Sequence, residues 1–234
     1  MNIQRLIFSL VVWMGVFSIG VDLEAAIKKY DETVSLGSSC QSAWHLEANG
    51  LRRWSYPLDW VITPFDSLIA FITHRGVGFL DRDKIAVIEI LEGAPSMLHV
   101  SDTTYHIHSI HDFFAPDMPN YEAVKAKYDR RIKRFFDLLE SSKRILFVRV
   151  NISRQEAEYL DHFLHTLYPR LEYTLLAVSE DPSAQENWGL ERVRNFYMQQ
   201  FPSDWVGNSG QWTEILSQFP IKAGKKKGVD EEKW

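Results

Sequence analysis

The chain of 234 residues holds a single cysteine, Cys40. One thiol closes no internal disulfide, so a disulfide-stapled secreted scaffold is excluded. An excess of positive charge is lacking as well. A net charge of −5 supplies no basic field of the kind that draws a protein to nucleic acid, and no nucleic-acid partner is expected. Phosphate loops are missing: "GLRRWSYP" and "GVGF" match neither the P-loop nor the dinucleotide fingerprint. There is no HExxH and no cysteine pair, and neither a metal nor a cofactor is expected. Internal repeats are absent too. What is present is apolar, with 45% hydrophobic and 13% aromatic residues, a globular composition long enough to bury one real core.

One charge-free stretch stands apart. "LIFSLVVWMGVFSIG", residues 6–20, follows the basic "MNIQR" and precedes the charged "VDLEAAIKKYDE". This is the layout of a secretory signal peptide, with cleavage after Gly20 or Ala25. The run falls short of the roughly 20 apolar residues that a membrane crossing needs. An uncut anchor through residues 6–20 and a buried helix are the other readings. The expected location is therefore exported, periplasmic or secreted, or membrane-anchored. The expected organisation is a leader over 1–25, a folded domain over 30–221 and a charged tail over 222–234.

Within the domain, "TVSLG" (33–37) is a strand candidate, and Ser39 stands to cap a helix beginning at Cys40 and closing at Gly50. "TPFDSLIAFITHRGVG" carries Thr63 as N-cap, Pro64 at the first helical position and Asp66 for a capping box. Residues 85–111 read as strands with turns at Gly93, Pro95 and Asp102. Tyr121, Val124, Tyr128, Ile132, Phe135 and Leu139 form the stripe of an amphipathic helix whose basic residues 130–134 are its solvated face. "RILFVRV" and "YTLLAV" are continuous apolar runs, as in strands covered on both faces. Between them Ser153 and Glu156 make a capping box. "LERVRNFYM" adds a strand and "NSGQWTEILSQF" a last helix. This alternation predicts an α/β fold: a single layered domain with a largely parallel sheet flanked by helices.

Ligands of such sheets gather in the turns after the strands, and Cys40 lies in one. Free N–H groups at a helix start lower a thiol's pKa and can hold a developing oxyanion. Gly37 would let a substrate approach the backbone. Cys40 is a nucleophile or a packed structural residue. A nucleophile needs a base. Among the histidines, His45 shares the predicted helix with Cys40, and His162 and His165 lie on a surface-type helix. His111 ends a predicted strand beside Asp112, Phe113 and Phe114. Asp112 is badly placed to orient its own neighbour, and Asp59 in "YPLDW" is the alternative. His106 and His108 have a zinc-like H-x-H spacing, weighed against plain polar strand residues. Ser38 and Ser39 sit where GDS(L) esterases place a serine, but "LGSSC" lacks the aspartate and no terminal D-x-x-H follows.

"SLGSSCQSAWHLEANGLRRWSYPLDWVITP" resembles the opening signature of a bacterial family named for papain-like cysteine peptidases. "HDF" (111–113), "FVR" (147–149) and the glycine-then-tryptophan helix around Gly207 to Trp212 are similar to its later landmarks. The resemblance spans most of residues 33–219. It implies a Cys–His pair at Cys40 and His111, with Asp59 matching the aspartate of the family's "FDW"; Leu58 stands where the family has phenylalanine. The expected activity is cysteine-dependent hydrolysis or acyl transfer on a peptide or ester. Cys40 would attack, His111 would carry the proton, and Asp59 would orient the imidazole. Gly37, Ser38, Ser39, Arg52 and Trp60 are the candidate substrate contacts. The rival reading is a non-catalytic carbohydrate- or glycan-binding module using Trp54, Tyr56, Trp60, Arg52 and Arg53. It would show those aromatics exposed in a groove, with Cys40 buried.

Overall fold

The structure is a computed structural model that describes residues 29–199 and 204–223. The expected leader and nearly all of the charged tail lie outside the described residues, among which no helix is long and apolar enough to cross a membrane. In chain order the elements are β1 (Glu32–Ser35), α1 (Gln41–Ala48), β2 (Val61–Ile62), α2 (Phe65–Thr73), β3 (Ile85–Leu91), β4 (Met97–Asp102) and β5 (His108–Phe114). There follow α3 (Tyr121–Leu139), β6 (Arg144–Val150), α4 (Arg154–Leu167), β7 (Glu172–Ser179), β8 (Val193–Tyr197) and α5 (Ser209–Ser217).

The α/β expectation holds, but the strands form two sheets rather than one. A parallel sheet runs in the order β1-β6-β7-β8, and a separate antiparallel sheet in the order β2-β5-β4-β3. The second sheet is an excursion between the first two strands of the first. Short turns between β3, β4 and β5 allow only antiparallel return, because a parallel neighbour needs a crossover of a dozen residues.

Side-chain alternation along β6 and β7 sorts the core. Ile145, Phe147, Leu175 and Ala177 point into a cluster with Tyr128 and Phe135 of α3, Leu160 and Leu164 of α4, and Leu98, Val100 and Phe113 of the antiparallel sheet. Leu146, Val148, Val150, Leu176 and Val178 point the other way, onto Leu46 of α1 and Trp212, Ile215 and Leu216 of α5. Each such aliphatic or aromatic side chain contributes about 1.5–3 kcal/mol on burial. Arg149 falls on the face of Phe147, and the apolar run therefore carries a cation into the core.

Local signals mostly translate into local structure. The Ser153–Glu156 capping box is formed, and the α3 stripe is buried at Tyr121, Val124, Tyr128, Phe135 and Leu139. Its basic segment is not all solvated: Arg131 is buried with its guanidinium over Tyr128. The Thr63 cap is not formed. Pro64 takes the N-cap position of α2 with no side-chain cap bond, because the backbone of Thr63 is committed elsewhere. At the far edge, Tyr30 bridges Ile221, with Tyr30 N–H donating to the Pro220 carbonyl and Lys222 N–H to that of Tyr30.

Candidate active site

The turn that carries Cys40 is built by its neighbours. Leu36 N–H still donates to the Val148 carbonyl at 2.9 Å, which holds the chain in the sheet one residue past β1. Gly37 and Ser38 then both take positive φ, 74° and 71°. A Cβ on Gly37 would stand 2.8 Å from Thr63 Oγ1 and 3.3 Å from the Leu58 carbonyl oxygen, so only glycine fits there. Thr63 N–H donates to the Ser38 carbonyl at 3.3 Å. The segment 58–63 thus wraps the turn. Ser35 Oγ accepts the Gly37 N–H at 3.2 Å and pairs with Ser42 Oγ at 2.7 Å. Ser39 Oγ accepts the Gln41 N–H at 3.4 Å.

Cys40 is the N-cap residue of α1 and its side chain is half-buried. Burial pushes the thiol pKa up. The helix start was expected to lower it, but desolvation outweighs the backbone hydrogen bond that works to lower it, and the resting form at neutral pH is the thiol.

His111 lies in the middle of β5 rather than at a strand end. Its side chain reaches the surface, while protein packed around the ring depresses its pKa against the opposing charge of Asp112. It is therefore a neutral imidazole at pH 7, the form a base requires. Asp112 is committed otherwise. It accepts hydrogen bonds from Ser109, from Lys127 and, at 2.7 Å, from Tyr128 Oη. Burial works to raise its pKa, but the Lys127 charge and these bonds hold it low.

Asp59 is 1% exposed. Its Oδ2 accepts from Arg52 Nε at 3.0 Å, Arg52 Nη2 at 2.9 Å and the Tyr56 N–H at 2.9 Å. Arg52 also reaches Ser55 Oγ and Glu47, each at 2.7 Å, and lies 5.2 Å over the Trp60 ring. Arg52 and Trp60, the expected substrate contacts, are thus interior groups that brace residues 52–60. Tyr56 is buried as well, and Trp54 is half-buried 4.6 Å beneath Arg134. The aromatic segment forms no exposed platform.

Register joins these pieces. Val61 pairs with Ser109 and Ile62 with His108. Asp59 precedes Val61 by two residues and His111 follows Ser109 by two, so both lie at the same end of the β2–β5 pair. His106 and His108 do not share a strand face, because His106 is in a turn with φ 54°. His108 Nδ1 instead meets His99 Nε2 at 3.0 Å, and His99 Nδ1 meets Glu89 Oε1 at 3.0 Å. Among the described residues no three candidate ligands gather around a metal position.

Sequence reasoning passed over Arg149. Its guanidinium donates from Nη1 to the Leu36 carbonyl at 2.7 Å and from Nη2 to the Thr63 carbonyl at 3.0 Å. It lies 5.7 Å from the centre of the Phe65 ring. Burial lowers its pKa to about 10 despite the charge of Glu156. The signal was a charge inside the otherwise apolar "RILFVRV".

Residues 31–175 match the family described as "Putative papain-like cysteine peptidase". The chain belongs to this family. The matched span takes in Cys40, Asp59, His111 and Arg149, so every element of the site just described falls within the family region. An uncharacterized protein of Acanthamoeba polyphaga mimivirus is 26% identical over 215 residues, covering 78% of this chain and 96% of that protein. This relative is viral, so it lends nothing to the bacterial origin implied by the resemblance. No solved structure matches the chain.

Proposed function

We propose that the chain is a cysteine-dependent hydrolase or acyl-transfer enzyme in which Cys40 is the nucleophile and His111 the base. One observation carries the reading. The segment 58–63 wraps the Cys40 turn through Gly37 and Ser38 on one side. On the other it pairs with the strand that bears His111.

The pair works from neutral partners. His111 takes the Sγ proton as sulfur bonds to the substrate carbonyl carbon, and the carbonyl π electrons move onto oxygen. Backbone N–H groups at the Cys40 turn and the start of α1 face the growing negative charge. As the tetrahedral adduct collapses, the imidazolium returns its proton to the leaving group, and water then releases the acyl group by the same route. Asp59 orients the imidazole only through Oδ1, since Oδ2 is held by Arg52. Gly37, Ser38 and Ser39 border the scissile carbonyl. Peptide and ester carbonyls both satisfy this chemistry.

The test is digestion of a mixed-sequence fluorogenic peptide library by wild type, Cys40→Ala and His111→Ala. Cleavage is expected from wild type, none from Cys40→Ala, and a loss of about 10²–10⁴-fold in His111→Ala, the usual weight of a positioned base. Cleavage that survives in Cys40→Ala would sink the reading, and so would a wild type that cleaves neither the library nor a panel of p-nitrophenyl esters.

A further inference from the structure

Arg149 is 2% exposed, and among the described residues it has no carboxylate within ion-pair distance. Its Nε is buried without a hydrogen-bond partner. Burying a cation with no carboxylate in contact costs several kcal/mol, which the more distant charge of Glu156 offsets only in part, and its neighbours Leu146, Phe147 and Val148 are all buried apolar residues. The two carbonyls it binds say what it holds. Leu36 is the last residue before the Gly37–Cys40 turn, and Thr63 is the residue whose side chain presses on Gly37 and whose N–H binds Ser38. One planar fork therefore spans the root of the turn and the loop that wraps it. Phe65, at the first turn of α2, stacks against that fork. Thr63 Oγ1 is itself buried without a partner, so at the Gly37 contact the segment has no side-chain hydrogen bond of its own. Asp59 ties its start to Arg52 and the Tyr56 N–H, and Val61 and Ile62 pair with β5; toward the Cys40 turn it is held by the bond to Ser38 and the bond from Arg149.

We infer that Arg149 is a positioning residue for Cys40: it sets the distance between the nucleophile turn and the 58–63 segment, and through that segment the placement of the turn against the strand of His111. The inference rests on the reading of Cys40 as nucleophile. Lysine does not replace arginine in this role, because a single ammonium lacks the rigid pair of donors that reaches both carbonyls. A displacement of about 1 Å at a reacting group lowers a rate by up to about 10²-fold.

The experiment compares two reactions of the same sulfur in the full chain. Acetylation of Cys40 by p-nitrophenyl acetate needs the base and the oxyanion donors in register; the thiol proton passes to His111, the thioester forms and p-nitrophenolate leaves. Alkylation by iodoacetamide needs only access and thiolate. Both are followed by the mass added to the Cys40 peptide. In Arg149→Lys, acetylation is expected to slow 10- to 100-fold while alkylation at pH 9 stays within about threefold. Phe65→Leu, which loosens the fork without removing a charge, is expected to slow acetylation by a smaller factor and serves if Arg149→Lys fails to fold. Equal acetylation in wild type and a folded variant overturns the inference alone, as does a parallel fall in both reactions. A wild-type Cys40 inert to the ester overturns the nucleophile reading together with it.

Discussion

Asp59 is where structural and chemical roles compete, and the substitution Asp59→Asn separates them. Asparagine keeps the shape and can still present an oxygen where Oδ2 accepts from Arg52 Nε, Arg52 Nη2 and the Tyr56 N–H. What it loses is charge. A hydrogen bond to a charged group exceeds a neutral one by about 1 kcal/mol, and three converge on this oxygen. Glu47 remains as a partner for Arg52 but is half exposed, so it offsets little. The expected loss is roughly 2–3 kcal/mol for Asp59→Asn, and about 3–5 kcal/mol for Asp59→Ala, which leaves the Arg52 charge buried and short of its buried partner. For a domain of this size that is a fall in Tm of about 4–12 °C for the asparagine variant. Urea unfolding followed by tryptophan fluorescence measures it, with the midpoint lowered and the slope unchanged. Because Asp59 orients the imidazole through Oδ1 alone, Cys40 acetylation in the folded variant is expected to slow without being abolished. Stability within about 0.5 kcal/mol of wild type, with acetylation abolished, would refute this account and make Asp59 an orienting group first.

Three further outcomes follow from the same geometry. Gly37→Ala places a Cβ against Thr63 and Leu58 at φ 74°; left-handed backbone and overpacking together cost about 2–5 kcal/mol, read by urea unfolding, and a neutral result would remove the close approach. Tyr128→Phe deletes the 2.7 Å donor to buried Asp112 and is expected to cost about 1–3 kcal/mol, with Ser109→Ala in the same background less than additive. For pH, His45 is buried against Trp212 and binds the Val206 carbonyl through Nε2, which must carry the hydrogen. Burial lowers its pKa in the fold. Its contribution is therefore present above the free-imidazole value of about 6.5 and lost as pH falls through the folded value. His45→Gln should lose less stability than wild type between pH 7.5 and 5.5, with a slope smaller by at most ~1.4 kcal/mol per pH unit; equal slopes would contradict it.

The elements that announce themselves in the sequence are those decided by near neighbours. The capping box at Ser153 and Glu156, the α3 stripe and the apolar runs of β6 and β7 each need only a few consecutive residues to specify them. The turn at Gly37 to Cys40 was legible for the same reason. Long-range partners hid the rest. Asp112 looks like a strand terminator beside His111, yet Lys127 and Tyr128 of α3 satisfy it and the strand continues to Phe114. Thr63 has the residue type of a helix cap, but its backbone binds Ser38 and Arg149, and the cap passes to Pro64. The helix start at Cys40 promised an acidic thiol, while desolvation, which no local pattern reports, moved it the other way. Division of the strands into two sheets likewise depends on which β pairs with which, and composition carries no trace of that.

The bridge between Tyr30 and Ile221 has an orientational meaning. It brings the first and last described parts of the chain to one corner, at the end where β1 begins. The Cys40 turn stands at the opposite end of the same strand, roughly 13 Å away for four residues at about 3.3 Å each. Any tether fastened through residue 29 or residue 223, whether to a surface, a second module or an affinity matrix, grips that corner and leaves the Cys40 turn at the far end of β1 from the attachment.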